Sequence, residues 1–284
     1  MTETDTISTA PAVEPAGAQA GPQGKKEKKE DNFFVFLIKL IVVVVLFRTF
    51  VFTSFVIPSG SMMPRLLVGD YLFAAKWPYG YSQASMPLDI KLWNGRIPAG
   101  VPDQGDVIIF RHPVDRADYV KRVIGLPGDK VQMVAGVLQI NGKAVPKKRV
   151  ADFDLPISPD GGCNRVQFTQ RLDDGSFVCR YPQFLETLPS GKSYNVLDYG
   201  TYPQDTTELV TVPEGHLFVM GDNRDDSLDS RFPPEAQKGV GLVPIENVAG
   251  RASFMFFSTD GTAEWIKPWT WFTAARWSRI GKGF

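Results

Sequence analysis

The sequence predicts a mainly β protein behind one N-terminal transmembrane helix, with a polar insertion between core strands. Three observations carry this. A single apolar stretch, Phe33 to Ile57, is long enough to cross a bilayer. Beyond it the apolar runs are short and punctuated by Gly and Pro, as strands and turns are. A long amphipathic helical period and an internal repeat are both missing from the remainder.

Residues 1–32 hold Pro, Ala, Gly, Thr and Glu and then the run Lys25-Lys26-Glu27-Lys28-Lys29-Glu30-Asp31, a disordered-tail composition. Residues 33–57 read as the membrane anchor. Lys39 and Arg48 are its only charges, and Lys39 is near enough to one end to snorkel. A cleavable leader is the competing reading, but the apolar stretch is too long and no small-x-small site follows it. The lysines before the segment put the N-terminus in the cytoplasm and everything after Ile57 on the outer face of the cell membrane.

Residues 58–142 and 212–264 read as the β core. Its expected strands are Val107 to Phe110, Tyr119 to Ile124, Val131 to Val134 with Val137 to Ile140, Leu217 to Met220, and Ala252 to Phe257. Asn141-Gly142 signals a tight turn. Residues 143–211 are polar, Pro- and Gly-rich, and read as an insertion. They hold both cysteines, Cys163 and Cys179, around an expected hairpin: Val166 and Phe168, a turn at Asp174-Gly175, then Phe177 and Val178. That hairpin does not set the cysteines opposite each other, so a disulfide and two buried thiols stay open. Residues 265–284 alternate Trp265, Trp269, Trp271 and Trp277 with Lys267, Arg276, Arg279 and Lys282, which suits a bilayer interface. A surface tail packed on the β core fits the same letters.

Composition excludes some functions. Of 284 residues, 43% are hydrophobic, enough for a core, and the formal net charge of zero gives no basic field for nucleic acid. Only two histidines, His112 and His216, are present, which argues against a histidine-rich metal site. No metal and no cofactor is expected.

Three segments can carry chemistry. Ile57-Pro58-Ser59-Gly60-Ser61-Met62-Met63-Pro64 follows the anchor directly. Small residues between prolines make an exposed turn that can present a hydroxyl and backbone N–H groups to an oxyanion. On its own this is as well read as a linker. A nucleophilic serine needs a base, and neither histidine sits in a suitable motif. A lysine serves if its amine is neutral, which needs burial to lower a pKa of about 10.4. Tyr119-Val120-Lys121-Arg122-Val123-Ile124 offers one. On a strand Lys121 shares a face with Tyr119 and Val123, while Arg122 points the other way. The bland alternative is an exposed edge lysine. The third segment, Gly221-Asp222-Asn223-Arg224-Asp225-Asp226-Ser227-Leu228-Asp229-Ser230-Arg231, is a dense polar loop after a strand. Alone it reads equally well as a solvated, ion-paired loop.

Together the three segments resemble the bacterial type I signal peptidases. That family has a Ser-Gly-Ser-Met-x-Pro box after the anchor, then Tyr-x-Lys-Arg-x-x-Gly-x-Pro-Gly-Asp, then Gly-Asp-Asn-Arg-Asp-x-Ser-x-Asp-Ser-Arg. Here these are Ser59 to Pro64, Tyr119 to Asp129 and Gly221 to Arg231. Gly250-Arg251-Ala252 and Arg276 to Gly281 also resemble the family's C-terminal part. The resemblance runs from about residue 33 to the end and is weakest across the insertion.

The resemblance implies a largely antiparallel β fold and a serine endopeptidase that removes signal peptides from exported preproteins. It makes Ser61 the nucleophile and Lys121 the general base. Ser227 would hydrogen-bond and orient Lys121, and the Ser61 N–H with the Ser59 hydroxyl would form the oxyanion hole. Asp229 and Arg231 would pair to hold the loop of Ser227. Ile57, Met62, Tyr119 and Val120 would line shallow pockets for small side chains. The implied partners are preproteins, the lipid bilayer and, close by, the secretion machinery. One residue departs from the pattern: Arg65 stands where the family usually has threonine. Self-cleaving repressor-type proteases share the Ser-Lys pair, but no helix-turn-helix signal is present. A tethered binding protein would have lost part of the set, and all three of Ser61, Lys121 and Ser227 are here.

Overall fold

The computed structural model describes residues 33–86, 90, 93–157, 162–264 and 266–284. The expected tail 1–32 and Trp265 lie outside the described residues. The chain divides into two units between Ile41 and Val42, and every strand belongs to the second.

Helix α1 spans Phe33–Phe50, 18 residues of which only Thr49 is buried. At 1.5 Å per residue it is ~27 Å long, and its mean hydropathy of 2.6 is that of a bilayer-crossing segment. The apolar run expected as one anchor to Ile57 is in fact two elements. The helix stops at Phe50, and Phe52–Val56 is strand β1. Aromatic and β-branched residues favour the pleated form, and β1 has a partner for its backbone in β2 (Asp70–Ala75), from Phe52 opposite Ala75 to Val56 opposite Tyr71. The helix end is capped by Lys76, whose buried Nζ donates to the Arg48 carbonyl at 2.8 Å.

Next come β3 (Val107–Arg111), β4 (Asp118–Gly125), β5 (Lys130–Val134), β6 (Val137–Ile140) and β7 (Lys143–Ala144). A two-residue turn with φ of 54° at Asn141 and 75° at Gly142 joins the last two. The stretch read as an insertion contributes β8 (Lys147–Arg149), β9 (Phe153–Pro156), β10 (Thr169–Arg171), β11 (Phe177–Tyr181), β12 (Gln183–Thr187), β13 (Ser193–Leu197) and β14 (Val210–Thr211). The chain then returns through β15 (His216–Met220), β16 (Val243–Pro244) and β17 (Val248–Ser258). The fold is mainly β, as the sequence predicts.

The main sheet has seven strands in the order β1-β2-β17-β3-β4-β15-β16, each pair antiparallel. Its centre is buried on both faces. Val107 and Ile109 of β3 join a core with Met62, Leu66 and Leu72, while Ile108 and Phe110 join another with Val123, Leu217 and Val219. A strand covered on both sides reads as a continuous apolar run, which is why β3 was visible in the sequence.

The insertion is less separate than its composition suggests. Val145, Leu188, Tyr194 and Val196 share one apolar core with Val131, Leu138 and Phe218. Cys163 and Cys179 form a disulfide with Cα atoms 5.5 Å apart. The expected strand through Val166 and Phe168 is instead a 3-10 turn, Val166–Phe168, and pairing starts with Thr169 opposite Cys179. Phe168 packs its ring on Tyr181 and Tyr199, at 5.3 and 5.1 Å. That turn folds Cys163 back to Cys179.

The C-terminal segment carries a short helix, α2 (Thr270–Thr273), and a 3-10 turn, Trp277–Arg279. Trp269, Phe272 and Trp277 are well exposed. The segment is fastened through its arginines: Arg276 donates to the Val68 carbonyl and Arg279 to the buried Asp70 carboxylate at 2.5 and 3.0 Å.

Candidate active site

Ser61 lies in a 3-10 turn, Gly60–Met62, between β1 and β2. Met62 is buried in the core below and fixes the turn from one side. Asn223 fixes it from the other: its backbone N–H donates to the Ser61 carbonyl at 3.0 Å and its side-chain amide to the Gly60 carbonyl at 3.1 Å. The serine side chain therefore points away from both anchors, and the first N–H groups of such a turn have no partner within it.

Lys121 comes from the middle of β4, opposite Ile108 of β3. Strand alternation sends it, with Tyr119 and Val123, to one face and Val120 and Arg122 to the other. It is 3% exposed, and its Nζ lies 2.7 Å from Ser61 Oγ. Burial pulls its pKa down to about 8; the Asp229 and Asp222 charges pull the other way without restoring it. Neither of those carboxylates bonds to it. Asp229 is engaged by Arg231 at 2.9 Å and by the Gly221 N–H at 3.0 Å, and both side chains of that pair are fully buried. Against the effect of burial, the Arg231 guanidinium holds the Asp229 carboxyl below its usual range. Asp222 is taken by Arg122 at 2.6 and 2.7 Å. Lys121 is thus a buried amine beside a hydroxyl, with its neighbouring carboxylates already paired.

Ser59 Oγ is exposed and 3.4 Å from Ser61 Oγ. Ser227 does not make the expected bond. Its hydroxyl is buried and has no hydrogen-bond partner. The loop is held by Arg231, which donates to the Arg224 carbonyl at 2.6 Å, and not by Ser227 itself. Ile57, Met62, Tyr119 and Val120 line one cavity of about 350 Å³ that also takes in Ser59, Ser61 and Lys121. Ile57 and Met62 are largely buried within its floor, while Tyr119 and Val120 are half-buried and Val56 and Leu228 exposed along its wall. His112 is buried against the Gly239 carbonyl and Asp115, and His216 sits beside the Glu214 carbonyl.

Sequence reasoning missed two supports. Gly221 touches the site so closely that a Cβ there would fall 2.3 Å from Ser227 Oγ and 2.5 Å from the Ser61 carbonyl oxygen. Only glycine fits, and its place at the head of the polar box was the available signal. The second is Glu186 of β12, fully buried and paired with Arg224 at 2.6 and 2.7 Å, with the Tyr194 hydroxyl also on its carboxylate at 3.1 Å. The insertion thereby clamps the polar loop. No local pattern marks Glu186, which lies in an ordinary strand.

Comparison with known proteins places the chain in a family. The family described as "Signal peptidase, peptidase S26" matches residues 31–257. A Signal peptidase I of Rickettsia prowazekii (strain Madrid E) is 36% identical over 281 residues, 91% of this chain and 94% of its own. One of Rickettsia massiliae (strain Mtu5) is 38% identical over 248 residues, 84% of this chain and 82% of its own. A solved signal peptidase I of Enterococcus faecalis V583 is 26% identical and covers 54% of this chain and 97% of that one, with a TM-score of 0.28. The chain belongs to the signal peptidase family S26 and is a serine-type signal peptidase.

Proposed function

We propose that the chain is a membrane-bound endopeptidase that cuts signal peptides after small-x-small sites, with Ser61 as nucleophile and Lys121 as general base. The observation that carries this is the 2.7 Å approach of the buried Lys121 Nζ to Ser61 Oγ. An amine with a pKa near 8 is in part neutral at working pH and can accept the serine proton.

Ser61 Oγ attacks the scissile carbonyl as its proton passes to Lys121 Nζ. The Ser61 N–H and the Ser59 hydroxyl stabilise the oxyanion. Lys121 Nζ returns the proton to the leaving amine and, neutral again, later draws one from the water that hydrolyses the acyl-enzyme. Ser227, buried and unbonded in the free protein, takes up Lys121 once the Ser61 oxygen is acylated. The Asp229–Arg231 pair keeps that loop in place. The small cavity beside Ser61 admits small side chains before the cut.

Helix α1 crosses the cell membrane once with the N-terminus in the cytoplasm, so exported preproteins meet Ser61 on the outer face, close to the secretion machinery. The exposed Trp269, Phe272 and Trp277 rest on the lipid bilayer.

Purified protein in detergent is incubated with a preprotein bearing an Ala-x-Ala site, beside Ser61→Ala and Lys121→Met. Cleavage at that site by the unsubstituted protein, lost in both variants, is expected. Cleavage that survives either substitution overturns the mechanism.

A further inference from the structure

A cavity larger than the one at Ser61 lies elsewhere on the molecule. About 830 Å³ in volume, it is lined by Arg122 of β4 and by neither Ser61 nor Lys121. Six cations face it: Arg65 after the nucleophile turn, Arg122 of β4, Lys192 of the insertion, Arg251 of β17, and Arg279 and Lys282 of the C-terminal segment.

Three of the six are neutralised. Arg122 holds Asp222 at 2.6 and 2.7 Å, Lys192 holds Asp106 at 2.7 Å, and Arg279 holds Asp70 at 2.5 and 3.0 Å. Among the described residues Arg65, Arg251 and Lys282 have no carboxylate partner. Arg65 donates to the Gly283 carbonyl and lies over the Phe284 ring, 5.5 Å from its centroid, which holds its guanidinium at the wall. Burial lowers the Arg65 pKa, with the Arg122 and Arg279 charges acting in the same direction and the Asp222 charge against them. A concave wall of unpaired cations focuses a positive field and concentrates anions.

We propose that this cavity is a phosphate-ester site, in which Arg65, Arg251 and Lys282 take the phosphate oxygens. Guanidinium groups match phosphate in a two-point fork, and the lysine adds a point charge. The cavity is much larger than a bare ion. Ser193 and Asn195 on one wall can bond a polar ester group, and Met255 and Phe284 offer an apolar wall beside it. The occupant is therefore a phosphate carrying an organic group, either the head of an anionic phospholipid or a soluble ester. Arg65, where the family has threonine, supplies one of the three unpaired charges.

The full chain in a neutral detergent is titrated calorimetrically with inorganic phosphate, glycerol 3-phosphate and dihexanoyl phosphatidylglycerol, for the unsubstituted protein and for Arg65→Thr/Arg251→Gln/Lys282→Gln. The esters are expected to bind, to weaken at least tenfold in the triple variant, and to weaken as NaCl is raised. Phosphatidylglycerol binding at least tenfold tighter than glycerol 3-phosphate identifies a lipid occupant; equal binding identifies a soluble ester. Failure of both esters to bind the unsubstituted protein overturns the proposal, as does equal ester binding by a folded triple variant. Should that variant not fold, Arg251→Gln, at an exposed strand position, replaces it with an expected weakening of severalfold, and unchanged binding then overturns the proposal. The readout does not involve cleavage, so Ser61→Ala is expected to bind the esters normally whatever the fate of the Ser61–Lys121 mechanism.

Discussion

Two lysines are buried among the described residues, Lys76 at the end of α1 and Lys121 on β4, and burial pulls both pKa values down to about 8. Their partners differ. Lys76 Nζ donates to two carbonyls, Arg48 O at 2.8 Å and Ser85 O at 2.5 Å. A carbonyl only accepts, so Lys76 is used as a cation that ties a helix end to a loop. Lys121 Nζ meets a hydroxyl, which can give up a proton. A lowered pKa makes a lysine available as a base; the atom beside it decides whether there is a proton to take. The difference also explains why each site is built as it is. Around Lys121 the carboxylates that would have kept it charged are turned to Arg231 and Arg122.

The comparison can be broken most forcefully at Lys121. Lys121→Met is expected to slow preprotein cleavage by about 10²- to 10⁴-fold, measured in single turnovers. It should not lower stability at pH 7, because methionine removes a charge that is costly to bury. A variant that loses both activity and melting temperature would make Lys121 a structural cation like Lys76.

The clamp on the polar loop comes next. Glu186→Gln strands Arg224 as a buried charge, and breaking one side of such a pair costs about 3–5 kcal/mol. Chemical denaturation is expected to show that loss. Gly221→Ala forces a methyl group against Ser227 and the Ser61 carbonyl. Overpacking of this kind costs about 1–3 kcal/mol, and here the strain falls on the nucleophile turn, so cleavage should drop with stability. Unchanged cleavage would mean that the turn yields freely.

Lys76→Met sharpens the contrast with the smallest effect. It leaves two carbonyls unpaired, worth about 1–3 kcal/mol of stability, and should leave the pH dependence of cleavage where it was. Stability should also change with pH differently. The folded chain holds the lysine proton less tightly than the unfolded chain, whose lysines titrate near 10.4. Between about 8 and that value the unfolded state binds more protons, so stability rises with pH and falls as pH drops toward 8. Removing Lys76 should flatten part of that rise in a urea series across the window.

The sequence showed what repeats locally. Short apolar runs marked β4, β5, β6 and β15 within a residue or two, and the run through β3 is continuous because burial on two faces leaves no polar positions. It did not show β1, since Phe52–Val56 continues the apolar run of α1 and only pairing with β2 makes it a strand. The three polar boxes were legible as letters, and Lys121 as a candidate from its neighbours. Their assembly was not. Arg122 finds Asp222 and Arg224 finds Glu186 across long stretches of chain, and no local period encodes such pairs. The expected Ser227–Lys121 bond is absent for the same reason: the two residues come from different elements, β4 and the loop after β15, and the direction of a hydroxyl depends on what packs around it. The disulfide was undecidable until the turn at Val166–Phe168 was seen.

The most direct test is the rate of single-turnover cleavage against pH, for the unsubstituted protein and for Lys76→Met. The expected result is a rate that rises tenfold per pH unit and levels near pH 8 in both, reporting the neutral amine of Lys121. A flat profile from pH 6 to 10, or a limb that moves with Lys76, would contradict Lys121 as the base for Ser61.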